Sequence, residues 1–338
     1  MIAAEISAPN EARVFEKDTP DVGPDEVLID VKRAGICGTD LHIWHGSYSV
    51  ARYPVTPGHE LSGVVAAVGD NVQNFKVGER VTADPNLPCY RCVFCQQRQF
   101  NQCLALEVIG VTRAGAFAGY VSVPESAVYG VGEMSFADAA LVEPLACVVW
   151  GLKQVQLQAG DRMLIFGAGP MGILMMQAVK RAGVSYVAIV DKDPWRLELA
   201  ESLGANAAIQ ADKLTQQTFG SLVPHGFDVV ADATGIPQVL TGSFDFVRPG
   251  GKVWVFGVAP DGSSASFSPF DVFRKDLKII GSFALNKTFH EAIAMLQGGT
   301  VQVEPLVSHA LSVKEFQKGL DLAESDPERM KVQFDLEA

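Results

Sequence analysis

Arg162 to Phe166 is a short, mostly apolar run, and Gly167-Ala168-Gly169-Pro170-Met171-Gly172 follows it directly. A helical stretch continues to Arg181, with Gly183 as its C-cap, and Tyr186 to Val190 reads as the next strand. Asp191 ends that strand, nineteen residues after Gly172. No other feature constrains the fold as much. A buried strand, a tight turn, a helix and a second strand make a βαβ unit, and G-x-G-x-x-G in that setting marks a dinucleotide-binding turn. Gly167 permits the turn, Gly169 lets backbone approach a pyrophosphate, and Gly172 lets the helix pack closely on the sheet. The helix start offers free N–H groups and a partial positive charge to phosphates. Asp191 can accept hydrogen bonds from the adenosine ribose, and its charge opposes a 2′-phosphate. That favours NAD over NADP, although Lys192 and Arg196 lie close by.

The alternation continues beyond this unit. Pro194 opens another helix, and Phe227 to Ala231 and Lys252 to Phe256 read as strands with a helical segment between them. This is the pattern of a parallel sheet covered on both faces. Before about residue 148 the chain reads differently. Val27 to Val31 and Gly63 to Gly69 are β-like runs bounded by Gly, Pro, Asn and Asp. A helical stretch from Phe289 to Leu296 leads into the tail. The 338 residues therefore read as two domains, an α/β unit and a mostly β unit.

Cys89-x2-Cys92-x2-Cys95-x7-Cys103 puts four thiols within fifteen residues. Such a loop can wrap a tetrahedral ion, and zinc held by four thiolates has a structural task. The spacing matches the common iron–sulfur runs poorly. A second set is dispersed: Cys37-Gly38-Thr39-Asp40-Leu41-His42, Gly58-His59-Glu60, and Glu143 within Leu141-Val142-Glu143-Pro144-Leu145. A thiolate, an imidazole and carboxylates can hold zinc while leaving one position open for water or substrate. Glu143 sits in an apolar stretch, where an unpaired charge is costly, so a cationic or metal partner is expected. Cys147, also among apolar residues, reads as core packing.

These motifs occur together in one family. The chain resembles the zinc-containing medium-chain dehydrogenases over nearly its whole length. The shared features are the Cys37 and His59 segments, the four-cysteine loop, Glu143-Pro144-Leu145 and the Gly167 turn, in the family's order and approximate spacing. The resemblance implies a β-rich GroES-like catalytic domain, residues 1–148 and 284–338, with a doubly wound Rossmann domain, residues 149–283, inserted into it. It places the active site in the cleft. By resemblance, Cys37, His59, Glu60 and Glu143 match ligands of a catalytic zinc, with Glu60 bound directly or just behind the metal. Cys89, Cys92, Cys95 and Cys103 match a structural zinc. Thr39 matches the hydroxyl touching the substrate oxygen, and His42 the solvent end of the proton relay. Gly167, Gly169, Pro170, Met171, Gly172, Asp191, Arg196, Phe256, Gly257, Val258, Ser282 and Phe283 match cofactor contacts.

The chemistry expected is oxidation of a secondary alcohol by NAD. Metal binding lowers the hydroxyl's pKa, the proton leaves through Thr39 and the cofactor ribose to His42, and hydride passes to the nicotinamide. Glu143 in place of a third Cys points to the sorbitol- and threonine-dehydrogenase branches. Gly46-Ser47-Tyr48 looks more like the polyol branch. The expected substrate is therefore a polyol such as sorbitol, xylitol, arabitol or galactitol. The rivals are L-threonine, with Arg52 or Arg113 as anchor, and butanediol. Asn286 is a candidate for facing the substrate. A scaffold holding NAD and zinc without turnover is the alternative of another class, and the presence of Thr39 and His42 speaks against it.

The charge of −12, without a basic run, excludes nucleic acid and anionic membrane as natural partners. No signal-peptide pattern or membrane-length apolar run is visible. A cytoplasmic enzyme with thiols reduced is expected, and the resemblance implies a homo-oligomer, dimer or tetramer.

Overall fold

The computed structural model describes residues 1–215, 217–220 and 223–338. They form two units. One comprises Met1–Ala146, Leu285–Gly298 and Val303–Ala338; the other comprises Cys147–Ala284 and Gly299–Gln302.

The second unit is built on a six-stranded parallel sheet. Across the sheet the strands run Ala207–Gln210, Tyr186–Asp191, Arg162–Phe166, Phe227–Asp232, Val247–Val255, Lys278–Gly281. In chain order this is 3-2-1-4-5-6, so the order reverses between Arg162–Phe166 and Phe227–Asp232. Met163, Leu164, Ile165 and Phe166 are all buried, as a strand covered on both faces requires. The helix Pro170–Arg181 packs here, with Ile173 through Val179 buried. Its C-cap is Ala182, so Gly183 lies one residue beyond the cap position expected from sequence. Gly183 (φ +95°) donates to Lys180, and Val184 to Val179, which closes the helix as a Schellman turn. Gly299–Gln302 groups with this unit because Gln177 holds it. The Gln177 carboxamide donates to Gln302 O (2.9 Å) and accepts from Gln302 N (2.8 Å).

The first unit is a seven-stranded, largely antiparallel sheet. Its central strand, Glu26–Gly35, pairs with Glu60–Val68, Tyr120–Pro124 and Lys331–Asp335. The last of these brings the C-terminal segment into the sheet. Phe117, Phe316 and Phe334 form an aromatic cluster with ring centroids 4.9–5.7 Å apart. Gly319 is pressed against Phe334, where an added Cβ would lie 2.6 Å from the ring. Cys147 is half-buried on its helix, not enclosed in a core as expected. Among the described residues no helix is long and apolar enough to cross a membrane.

Candidate active site and metal centres

The pairing of Gly35 with Glu60 is the scaffold of the dispersed site. Cys37 lies two residues past the end of one strand, and His59 one residue before the start of the other. Cys37 is also the N-cap of the helix Gly38–Trp44. Its N–H donates to Asp40 Oδ2 (2.8 Å), which closes a capping box and fixes the first turn. Asp40 is fully buried, and its other oxygen lies 3.7 Å from His59 Nδ1. Gly58 (φ +95°) makes the bend that delivers His59, and a Cβ there would strike the Phe117 ring at 2.5 Å. The outcome is a compact set: ligand atoms of Cys37, His59 and Glu60 all lie within 4.8 Å of one another.

Glu60 is fully buried, and Gly35 gives it room, since a Cβ at Gly35 would lie 2.2 Å from Glu60 Oε2. Lys331 donates to Glu60 Oε1 (2.7 Å) and to Ile36 O (3.2 Å). Both side chains are almost wholly enclosed, so this is a buried ion pair. Burial works to discharge Lys331, but Glu60 and then Cys37 outweigh it, and its pKa stays above the ordinary lysine value. Glu60 Oε2 is buried with no hydrogen-bond partner among the described residues. A buried carboxylate oxygen without a donor is costly, and a cation at the Cys37–His59–Glu60 set removes that cost. His59 agrees. Burial opposes its protonation, yet Asp40 and Cys37 override this and hold the imidazole well above its usual pKa. The surroundings favour positive charge beside His59, and the thiolate, imidazole and carboxylate set suits zinc.

Glu143 is buried in the first turn of the helix Val142–Val155. It stands outside the 4.8 Å set, yet its charge acts on both His59 and Lys331. Thr39 and His42 lie three residues apart on the Gly38–Trp44 helix and so share a face. The Thr39 hydroxyl lies 3.9 Å from Cys37 Sγ, and His42 Nδ1 lies 3.1 Å from Ser47 Oγ. Tyr48 is near enough to feel the Cys37 charge; burial first, and that charge second, raise its phenol pKa.

The second metal centre is local. Cys89, Cys92, Cys95 and Cys103 present sulfurs that all lie within 4.8 Å of one another. Cys92 Sγ is 3.5 Å from Cys95 Sγ and 4.0 Å from Cys103 Sγ. A tetrahedral ion with bonds of about 2.3 Å needs sulfurs about 3.8 Å apart. Backbone N–H groups turn inward as well: Cys89 N and Ala105 N donate to Cys103 Sγ (3.2 and 3.4 Å). Donation from Cys95 and Leu104 lowers the Cys92 thiol to about 6, whereas burial pushes Cys95 up to about 12. A site that makes one thiolate and strains another toward the neutral form suits a zinc ion, which binds all four as thiolates.

In the parallel-sheet unit the glycine turn is tightly built. A Cβ on Gly172 would lie 1.8 Å from Gly167 O, so only glycine fits. Gly169 is the N-cap of the helix, with Pro170 in its first turn. Asp191 accepts from Ala168 N (2.6 Å) and Asp193 N (3.0 Å), which locks the turn to the end of the next strand. Sequence reasoning gave Asp191 only a ribose role. Arg196 lies beside the turn, with Nη1 3.9 Å from where a Gly169 Cβ would be. Gly235 and Gly257 let two further strand-end loops meet, since a Cβ on Gly257 would lie 2.2 Å from Gly235 N. Phe256 N and Gly257 N both donate to Asp232 O. Ser282 Oγ accepts from Trp254 Nε1 (2.9 Å). Val258 and Phe283 are exposed. These segments all lie at carboxyl ends of strands, where open parallel sheets bind ligands.

Two of the residues considered for the substrate have other partners in this structure. The Asn286 carboxamide is engaged with backbone, accepting from Phe100 N (3.2 Å) and donating to Arg98 O (2.9 Å). Arg113 is paired with Glu26. Lys331 was missed, because one lysine in a polar C-terminal stretch carries no local signal. Asp232 and Thr234 were also missed; Thr234 N and Oγ1 donate to Asp232 Oδ1 (2.8 and 2.5 Å) beside the Gly167 turn.

Residues 23–133 match the alcohol dehydrogenase GroES-like domain, and residues 170–298 match the zinc-binding dehydrogenase domain. The chain is 38% identical to D-altritol 5-dehydrogenase of Agrobacterium fabrum, over 99% of each chain. It is 32% identical to L-threonine 3-dehydrogenase of Rhizobium etli, over 96% of each. A crystal structure of a putative zinc-binding dehydrogenase from Sinorhizobium meliloti, bound to NADP, superposes with a TM-score of 0.95. It has 31% identity and covers 99% of this chain and 98% of that one. The fold and the two cysteine-bearing centres thus define a zinc-dependent oxidoreductase. The chain belongs to the zinc-containing medium-chain alcohol dehydrogenases.

Proposed function

We propose that this enzyme oxidises a secondary hydroxyl of a polyol, with NAD as hydride acceptor, giving a ketose, NADH and a proton. The observation that carries the reading is the Cys37, His59 and Glu60 set, its imidazole and carboxylate buried, with Glu60 Oε2 left for a cation. When bound there, zinc acidifies a coordinated hydroxyl and NAD accepts the hydride. The chain does the rest. Cys37, His59 and Glu60 hold the metal, with Glu143 in reserve as a further carboxylate. Asp40 orients His59. Thr39 takes the hydroxyl proton into a hydrogen bond, and His42, one helical turn on and half-exposed, passes it to solvent. Cys89, Cys92, Cys95 and Cys103 hold a second, structural zinc.

Gly167, Gly169, Pro170, Met171 and Gly172 cradle the pyrophosphate in this reading. Asp191 faces the adenosine ribose, and Phe256, Gly257, Val258, Ser282 and Phe283 lie on the nicotinamide side. Asp191 favours NAD; Arg196 beside the turn is the group that would admit a 2′-phosphate.

Identity to the altritol enzyme supports a polyol over threonine. So does the pairing of Arg113 with Glu26, which engages one of the two cations considered as a threonine carboxylate anchor. The test is NADH formation with D-altritol, D-arabitol, sorbitol and L-threonine offered separately to zinc-replete enzyme. Turnover on a polyol is expected; turnover on threonine alone sinks the substrate class but leaves the zinc mechanism standing.

The enzyme works in this reading as a homo-oligomer in the cytoplasm. The edge strand Lys278–Gly281 exposes Ile279, and Phe270 and Phe273 are exposed on the preceding helix. A single-chain mass by light scattering would refute the oligomer.

A further inference from the structure

The chain returns to the β-rich unit at Leu285, and the residues around that point are strained. Ala284 (φ +50°) and Lys287 (φ +54°) both occupy the left-handed region without being glycine. Such a conformation is uphill and persists only where its surroundings hold it. Here the surroundings are the four-cysteine lobe. Asn286 accepts from Phe100 N and donates to Arg98 O, between the third and fourth cysteines. Arg98 is itself left-handed, at φ +61°. Lys287 Nζ pairs with buried Asp84 (3.3 Å) and sits 5.7 Å over the ring of Tyr90, between the first and second cysteines. Next in the chain, buried Thr288 donates to Ala146 O (2.7 Å). Three successive side chains pin a strained segment, and two of them pin it to the lobe.

We propose that Asn286 and Lys287 are positioning residues, through which the integrity of the four-cysteine lobe sets the conformation of the segment 284–288. Coupling free energies are reciprocal. Loss of order in the lobe releases the segment, and cutting the Asn286 tie loosens the lobe. The sequence carries no trace of this, because residues 98–100 and 286 are almost two hundred positions apart.

The test is hydrogen exchange on the full-length zinc-loaded enzyme and its Asn286→Ala variant, with metal content measured on both. Two lost hydrogen bonds should speed exchange about tenfold. The increase is expected at the Phe100 amide, across residues 89–103 and across 285–290 together. Asn286→Asp keeps the acceptor for Phe100 N and loses the donor, so it should give a smaller increase in the same regions. Turnover of Asn286→Ala should stay within about twofold of wild type, since the chemistry is untouched. Unchanged exchange in the lobe, or a rise in only one of the two regions, overturns the coupling. An Asn286→Asp variant no better than Asn286→Ala overturns the positioning role. Should Asn286→Ala not fold, alkylating the lobe cysteines of the wild-type chain gives the reciprocal measurement at 285–290. A wild-type lobe without metal refutes the structural-zinc assignment separately, and exchange still judges the tie.

Discussion

The two cysteine-bearing centres use the same chemistry in opposite ways. The Cys89–Cys103 lobe takes all four ligands from fifteen consecutive residues and turns its own backbone N–H groups onto the sulfurs. It needs little beyond its own loop to define a site. The Cys37 centre draws its parts from two strand ends, a helix cap and a C-terminal strand. It is also charged throughout: Asp40, Glu60 and Lys331 are buried around it. A closed four-thiolate set has no free position and gives stability. An open, mixed set with buried charges leaves room for a substrate. The comparison teaches that the four-cysteine set takes its ligands from a single loop, whereas the Cys37 set is assembled by strand register.

Substitutions can break this division. The largest effect is expected for Cys37→Ala. Losing the metal's charge stabilisation should cost about 4 kcal/mol or more, near a thousandfold in turnover. Metal analysis should show one ion lost, with the melting temperature little changed. Cys95→Ser should do the reverse, removing one ion and on the order of 5 kcal/mol of stability. Near-normal kcat is expected well below its melting temperature. A Cys95→Ser enzyme that stays folded but inactive would show that the lobe is not merely structural. Lys331→Met leaves the buried Glu60 carboxylate without its counter-charge, and denaturant melts should report a loss of roughly 3–5 kcal/mol. A stability near wild type would mean that Glu60 finds its charge balance entirely in the metal.

The smallest effect lies away from both centres. Burial alone would raise the Glu26 carboxyl, but Ser122 and Arg113 outweigh it and hold its pKa below 4.5. A lowered folded pKa stabilises the protein above the unfolded value, and that gain is lost as pH falls through the folded value. The stability gap between wild type and Glu26→Gln should therefore shrink as pH drops below about 4.5, by about 1 kcal/mol in all for a partly exposed pair. Metal content at both centres should stay unchanged in that variant.

The same contrast explains what could be read from the sequence. Gly167, Gly169, Gly172 and the four lobe cysteines announce themselves because turn sterics and ligand spacing are local. The parallel sheet follows from the strand–helix alternation, but its edge strands Ala207–Gln210 and Lys278–Gly281 and the strand order do not. Cys37, His59 and Glu60 are visible as residues, but their meeting depends on the Gly35–Glu60 register, which no spacing encodes. Lys331 had no signal at all, since its partner lies 271 positions away. The partners of Asn286 and Arg113 were not legible, because a polar residue on a loop looks the same whether it faces a ligand or ties down backbone. Gly183 missed the cap by one residue, the ordinary uncertainty at a helix end.

The Glu60–Lys331 pair also has a consequence for synthesis. Cys37, His59 and Glu60 leave the ribosome early, but the ammonium that neutralises Glu60 arrives 271 residues later. Until then a nascent chain carries an unbalanced carboxylate that must remain in water or take up metal prematurely. Burial of the reactive centre therefore waits for the last strand, whereas the four-cysteine lobe can close during translation.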